Sequence, residues 1–500
     1  MRGHAAAAAL VACALSGIAG AAADAGSCPH VQSSSLLQGG AARRQRLVVT
    51  DDGSEAASHG REGSASSGPQ DAPWDGHGWW YHALFKPRAS SSGGTRCSAD
   101  ADCGWHARCA AEGECRPLPL GADPRADALA GLLSFAIAGV SLAAGVGGGG
   151  LFVPLLMTLL SLSARTATGL SQSMLLGGAA TAFAYNLSHS HPREPARPLI
   201  DFELACLLGP ALMAGAQVGS IVHAMAPPAL LLLLLCLVLG DAAWKGLASA
   251  RRLGAKEGQA AQAPGPGAEA PGAAEEALRR SRAARWKLLL LWLLTMAVVL
   301  TKGLLLDICS ARWWALVAAA VACLLAFAWG LARQLAAAPP ATEKDVDLGS
   351  LALPLLRWSF GAGILAAVCG IGGGMVMGPI LVRVGVPPPV SSATTATTLL
   401  VVSSCTSLVY SCRGYVPRDY SIYLSLMTAA GAITGKVFIG AWVRRTRRES
   451  VLVWCLAGIT ILSALLMGAL GSYRVWLNGA ESFRVGGLCH SGVHARHVRS

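Results

Sequence analysis

Gly145-Val146-Gly147-Gly148-Gly149-Gly150-Leu151-Phe152-Val153-Pro154 is the stretch on which the reading of this chain turns, and it occurs twice. Gly370-Ile371-Gly372-Gly373-Gly374-Met375-Val376-Met377-Gly378-Pro379 stands 225 residues later, and the same offset pairs Leu156 with Leu381, Tyr185 with Tyr410 and Pro192 with Pro417. The chain therefore carries an internal duplication. Both copies lie inside long uncharged runs, where a bilayer demands an unbroken helix. A flexible backbone without side chains in that position points to a transport site built from broken helices.

The composition around the motif is that of a polytopic membrane protein. Of 500 residues, 53% are hydrophobic and only 14% charged, against about 25% charged in a soluble domain. Residues 128–162 hold 35 positions without a charge. As one helix they would reach roughly 52 Å, well past a hydrocarbon core of roughly 30 Å, so they must break or fold back, and 147–150 is the natural place. Further apolar segments follow at 166–187 and at 204–239, the latter too long for one crossing and divided by Pro227-Pro228. Others lie at 286–306, 313–331, 351–369, 390–411, 419–443 and 451–470.

Residues 1–23 combine Arg2, a short apolar run and Ala21-Ala22-Ala23, as in a cleavable secretory signal, with an uncleaved anchor as the alternative. Residues 24–127 are polar and rich in Ser, Gly and Ala, the composition of a largely flexible luminal or extracellular region. Within it, Cys97, Cys103, Cys109 and Cys115 recur every six residues. Behind a secretory signal they are expected to form two disulfides in one of three pairings. The common C-x2-C zinc spacing is absent. Cys28 is either unpaired or joined to Cys489. The membrane part is expected as a first repeat at 128–248, a flexible cytoplasmic linker at 249–285, connecting helices at 286–338, a short linker at 339–350, a second repeat at 351–472 and a polar tail at 473–500.

The net charge of +12 does not argue for nucleic acid, because the basic residues sit in the links and no aromatic–basic face accompanies them. With the ectodomain outside and each glycine break separating two crossings, seven crossings separate the starts of the two repeats. Seven is odd, so the repeats are inverted. The same count places 249–285 and Arg444–Arg448 inside, as the positive-inside rule asks. Arg413 and Arg418 fall outside and run against it, and broken segments that re-enter without crossing are the alternative.

Gly145-x-Gly147-x-x-Gly150 formally matches a dinucleotide fingerprint, but the strand and amphipathic helix that motif requires are missing. Isolated pairs such as Gly215/Gly219 and Gly431/Gly435 read as close helix packing. A run of consecutive glycines, each costing roughly 1 kcal/mol of helix propensity, asks for more than packing. A broken helix exposes free N–H groups and the positive end of its dipole, which bind an anion without a buried formal charge. Pro154 and Pro379 suit the first turn of the half-helix that follows. The candidate substrate-binding residues are therefore Gly147, Gly148, Gly149, Gly150, Gly372, Gly373 and Gly374, together with Gln172, Ser173, Thr394, Thr397 and Thr398 from the next segments. Membrane Ser and Thr otherwise bond their own backbone. Lys436 either counters the anion or snorkels toward Arg444. Lys302 and Asp307 read as interfacial, and His223 as a satisfied helix-end histidine. No metal set, nucleophile–base pair or paired acid falls within the spans, so neither cofactor nor enzyme activity is expected.

Two halves that each open on Gly-x-Gly-Gly-Gly, continue through an apolar stretch with Pro and reach a Ser/Thr-bearing helix resemble the sulfite exporter TauE/SafE family, the 4-toluene sulfonate uptake permeases. The resemblance covers about residues 129–470. It implies an all-α integral membrane secondary transporter of sulfite, a sulfonate or a related small organic anion, in the plasma membrane or an endomembrane, with coupling to a proton or another ion left open. Eukaryotic members often carry a secretory signal and a short cysteine-bearing region, as here. This chain departs from a strict repeat in having Gly150 opposite Met375 and a threonine-rich 390–398 stretch. A receptor or scaffold working through its ectodomain, and an anion channel, are the rival readings.

Overall fold

A computed structural model describes residues 107–109, 115–191, 197–260, 271–306, 309–337, 348–412, 416–446 and 450–479. The expected signal sequence, Cys28, Cys97, Cys103, Asp307 and Cys489 lie outside them. Two short antiparallel strands, β1 (Ala107–Cys109) and β2 (Cys115–Pro117), put Cys109 opposite Cys115. Cys109 is disulfide-bonded, and so is Cys309, a residue the sequence reading did not single out.

The remainder of the described chain is helical. The first half consists of α1 (Pro124–Ala143), α2 (Gly149–Leu159), α3 (Ala164–Leu187), α4 (Phe202–Met225) and α5 (Pro228–Ala260). Two intervening helices follow, α6 (Pro271–Leu304) and α7 (Ala311–Ala337). The second half is α8 (Leu348–Cys369), α9 (Gly374–Val384), α10 (Pro388–Cys412), α11 (Arg418–Thr446) and α12 (Ser450–Asn478). Nine of these are long and apolar enough to span a bilayer, and α2 and α9 are short apolar helices of 11 residues each. α3 stands apart from the nine: its Thr, Ser, Gln and Asn residues lower its hydropathy, and the fold buries it in the interior. Leu233, Leu237, Leu290, Leu465 and Phe438 are exposed on the outer helices, which is the arrangement an apolar solvent requires.

Local chemistry explains most boundaries. Asp123 caps α1 by accepting from the Ala126 N–H, with Pro124 as the first helical residue. Asp201 does the same for α4 at Leu204. Pro227 and Pro228 separate α4 from α5. The expected flexible linker of 249–285 is mostly helix, since α5 runs on to Ala260 and α6 begins at Pro271. Ala, Lys, Arg and Glu fill those flanks, and all are good helix formers.

Packing follows the duplication. α1 lies along α11 and α4 along α8, while α3 meets both α10 and α11, and α5 pairs with α12. Exchanging the halves maps the α1–α11 contact onto α8–α4 and leaves α3–α10 and α5–α12 unchanged. The Gly-xxx-Gly pairs carry the closest of these contacts. A β-carbon on Gly215 would lie 2.9 Å from the Ile364 nitrogen, and one on Gly431 2.9 Å from the Phe135 carbonyl carbon. Phe135 and Phe360 occupy equivalent positions, so the same glycine face is used twice. Contacts of Gly131 with Tyr423 and of Gly139 with Gly435 make α1 and α11 parallel. Contacts of Gly215 with Phe360 and Gly219 with Ala367 do the same for α4 and α8. α5 and α12 are antiparallel, with Gly246 beside Ala457 and Leu232 beside Gly471. α6 and α7 have no counterpart and cover only one side, against α4, α8 and α10.

Candidate functional site

The two glycine stretches interrupt helices at one place in the fold. α1 ends at Ala143 in a Schellman turn, Gly145 N–H donating to Leu142 O and Val146 N–H to Ser141 O at 2.8 Å. Gly145, Gly147 and Gly148 all have positive φ, which side-chain-bearing residues rarely adopt. The α8 terminus closes differently. Gly370 N–H donates to Ala366 O in a single αL turn, and side chains bond the carbonyls of this last turn. Gln172 Nε2 donates to Ala366 O, Tyr410 Oη to Ala367 O at 2.9 Å and Ser171 Oγ to Gly370 O at 2.9 Å, while His223 Nδ1 meets Val368 O at 2.8 Å. Thr406 holds Gln172 in turn through its Oε1. Tyr410→Phe therefore leaves a buried carbonyl without its donor and is expected to destabilise the protein by about 1–3 kcal/mol; a melting curve of the detergent-purified variant reads this directly.

The half-helices α2 and α9 start immediately after the breaks, and no side chain caps either start. Their first N–H groups are buried at the crossing of the two motifs. The crossing is backbone on backbone: a β-carbon on Gly374 would sit 2.6 Å from Gly145 O, and one on Gly149 2.7 Å from the Ile371 carbonyl carbon. Leu175 and Leu399 close over Gly147 and Gly372. The mismatch between Gly150 and Met375 has a steric cause, because the Met375 Sδ and Cε lie 3.1 Å from where a Gly150 β-carbon would be. The sequence reading put Pro154 and Pro379 in the first turns of the half-helices; they are instead the sixth residues of α2 and α9. Each thereby removes a helical donor to the carbonyl four residues earlier, on Gly150 and Met375.

The polar candidates fall into two groups. Gln172 and Ser173 reach across to α10, the latter to Ser407 Oγ at 2.8 Å, and Thr394 Oγ1 accepts from the Asp201 N–H. Thr397 and Thr398 instead bond Ala393 O and Thr395 O of their own helix. Lys436 does not snorkel: it is buried and donates to Ser392 Oγ at 3.0 Å, and Ser392 donates to Ala143 O at 2.7 Å. Ser392 also lies against Gly145, with its Cα 2.6 Å from a β-carbon placed there, so the lysine reaches the end of α1 at the first break. His223 is buried with a backbone partner, as its helix-end position suggested.

Lys302 corrects the sequence reading. It is buried rather than interfacial, hydrogen-bonded to Gln217 Oε1, because α6 packs its last turns onto α4 and not toward lipid. Ser463 on α12 was also missed. It is fully buried and lies against Gly150, and a single serine in an apolar helix gives no periodic signal.

The family model for sulfite exporter TauE/SafE matches residues 128–274 and 268–467. The chain is 29% identical over 360 residues to sulfite exporter TauE/SafE family protein 3 of Arabidopsis thaliana, covering 65% of this chain and 75% of that protein. It is 26% identical over 381 residues to family protein 5 of the same plant, covering 70% and 84%. No solved structure matches the chain.

Proposed function

Because the chain belongs to the sulfite exporter TauE/SafE family, we propose that it is a secondary transporter of a small anion, sulfite, a sulfonate or a related organosulfur anion, bound at the half-helix starts that follow the glycine breaks. The observation that carries this reading is the burial, at one crossing, of two helix N-termini that no side chain caps. Uncapped amides and the dipole behind them attract an anion, and the half-helices of transporters use this chemistry at the membrane midplane. Lys436, linked through Ser392 to the end of α1, adds a positive charge near the same place.

The two halves are inverted about an axis in the membrane plane, with the N-terminal region outside. Parallel α1–α11 and α4–α8 pairs and the antiparallel α5–α12 pair support this arrangement. So does the grouping of the exposed Arg251, Arg252, Arg279, Arg282 and Arg445 toward the ends of α5, the start of α6 and the end of α11, all at the face that the charge rule assigns to the cytoplasm. The Cys97–Cys115 module then stands in an oxidising compartment, in keeping with the bonded state of Cys109.

Flux of radiolabelled sulfite, sulfate and taurine into proteoliposomes holding the purified protein tests the reading. Saturable flux of one of them is the expected result. Flux that rises linearly with concentration would mark a channel, and no flux of any above empty liposomes would favour the scaffold reading.

A further inference from the structure

We propose that the anion is held at the first break only, at the N-terminus of α2, with the Ser463 hydroxyl of α12 as a side-chain donor to it. The proposal rests on the anion-transport reading above and departs from the symmetry that the sequence suggests.

Two facts carry it. The interface between the breaks is filled, since Gly145 O and Val146 O press on Gly374 while Ile371 presses on Gly149; no anion fits between the facing backbones. The first turn of α2, by contrast, meets Ser463 beside Met375. Its Oγ lies 3.1 Å from the β-carbon position of Gly150, the residue is fully buried, and the hydroxyl has no hydrogen-bond partner among the described residues. A buried hydroxyl without a partner costs folding free energy, and beside an uncapped helix N-terminus an anion is the partner whose charge both groups favour.

The equivalent place at α9 lacks this chemistry. The α5–α12 contacts match Gly246 to Gly471 and Leu232 to Ala457, so the counterpart of Ser463 is Val238, which packs on the hydrophobic core. Ser141, whose Oγ lies 2.5 Å from the β-carbon position of Gly148, has Ala366 as its counterpart. At Gly373 the corresponding neighbour is Leu212 Cδ2. The start of α2 therefore meets two hydroxyls, beside Ile137 and Met375, where the start of α9 meets Leu212; at the second break Thr168 and Ser171 lie only against Gly370, ahead of the helix start. Ser141 already donates to Ile137 O, which leaves Ser463 as the available donor.

The test is the concentration dependence of sulfite uptake by wild type, Ser463→Ala, Ser463→Cys and Val238→Ala in proteoliposomes, with the melting temperature of each protein measured without sulfite. Ser463→Ala is expected to raise the KM for sulfite about tenfold or more, with a melting temperature equal to or above that of wild type, while Val238→Ala keeps its KM within about twofold. An unchanged KM in Ser463→Ala overturns the proposal. So does a fall in melting temperature, or failure of both Ser463 variants to fold, since either assigns the hydroxyl to structure. An equal rise in KM for Val238→Ala would place the anion at both breaks and also overturns it. Wild type without saturable sulfite flux removes the transport reading itself, a different failure from flux that ignores Ser463.

Discussion

Replacing Lys436 with methionine is expected to lower saturable anion transport on the order of a hundredfold, in a protein that melts at the same temperature as wild type or higher. The two signs come from one fact. Lys436 is buried, and its hydrogen-bond partner among the described residues is the neutral Ser392 hydroxyl. Asp127, the acidic residue buried among the described helices, is engaged at the far end of α1 by Tyr420 Oη at 2.7 Å and the Gly121 N–H. An ammonium in apolar surroundings with no carboxylate beside it costs several kcal/mol of desolvation, and a methionine of similar length removes that cost. If the charge is retained because the transported anion supplies the counter-ion, its loss takes away a charged hydrogen bond in the bound state, worth about 1.5–3 kcal/mol. Initial rates of sulfite uptake against concentration, with thermal melting in parallel, decide it. Wild-type rates in Lys436→Met would assign the lysine to structure and leave the amides alone to bind the anion.

Among the glycines, Gly374→Ala is expected to cost about 3 kcal/mol or more of stability and Gly373→Ala less than about 1 kcal/mol, although the two are neighbours in one motif. A methyl group on Gly374 would stand 2.6 Å from Gly145 O and 3.1 Å from Val146 O, backbone atoms that cannot move without dislodging the other break. Gly373 has φ −61, open to any residue, and its methyl would meet only the end of the Leu212 side chain. Gly148, which the repeat aligns with Gly373, differs again: φ +82 adds conformational strain to a contact with Ser141. Fluorescence-detected size-exclusion chromatography after graded heating would rank the three. Equal melting of Gly374→Ala and Gly373→Ala would mean that the two breaks do not touch as described.

Serine and threonine residues illustrate how far side-chain chemistry alone could be read. A threonine-rich α10 invites the assignment of many ligands, yet Thr395, Thr397 and Thr398 spend their hydroxyls on carbonyls one turn back in the same helix, the behaviour favoured where no water competes. Gln172 was legible as a polar residue near the motif. Its partners, Ala366 O and Thr406, were not, because they lie 194 and 234 residues away in sequence.

Sequence alone determined the membrane class, the duplication, the places where helices must break, the Pro227-Pro228 boundary and the close packing of the Gly-xxx-Gly faces. All of these follow from composition, spacing and the missing β-carbon, which act locally or along one helix. Tertiary structure alone decided which side chains close the end of α8, that Lys302 turns inward to Gln217, and that Lys436 reaches the first break. It also made two glycine motifs of nearly equal sequence unequal, with Ser141 and Ser463 against the start of α2 and Leu212 against the start of α9. The reason is physical: each break is lined by residues from other helices, α4, α10, α11 and α12, and the bilayer's demand that buried polar groups be satisfied acts on their assembled positions rather than on their order in the chain.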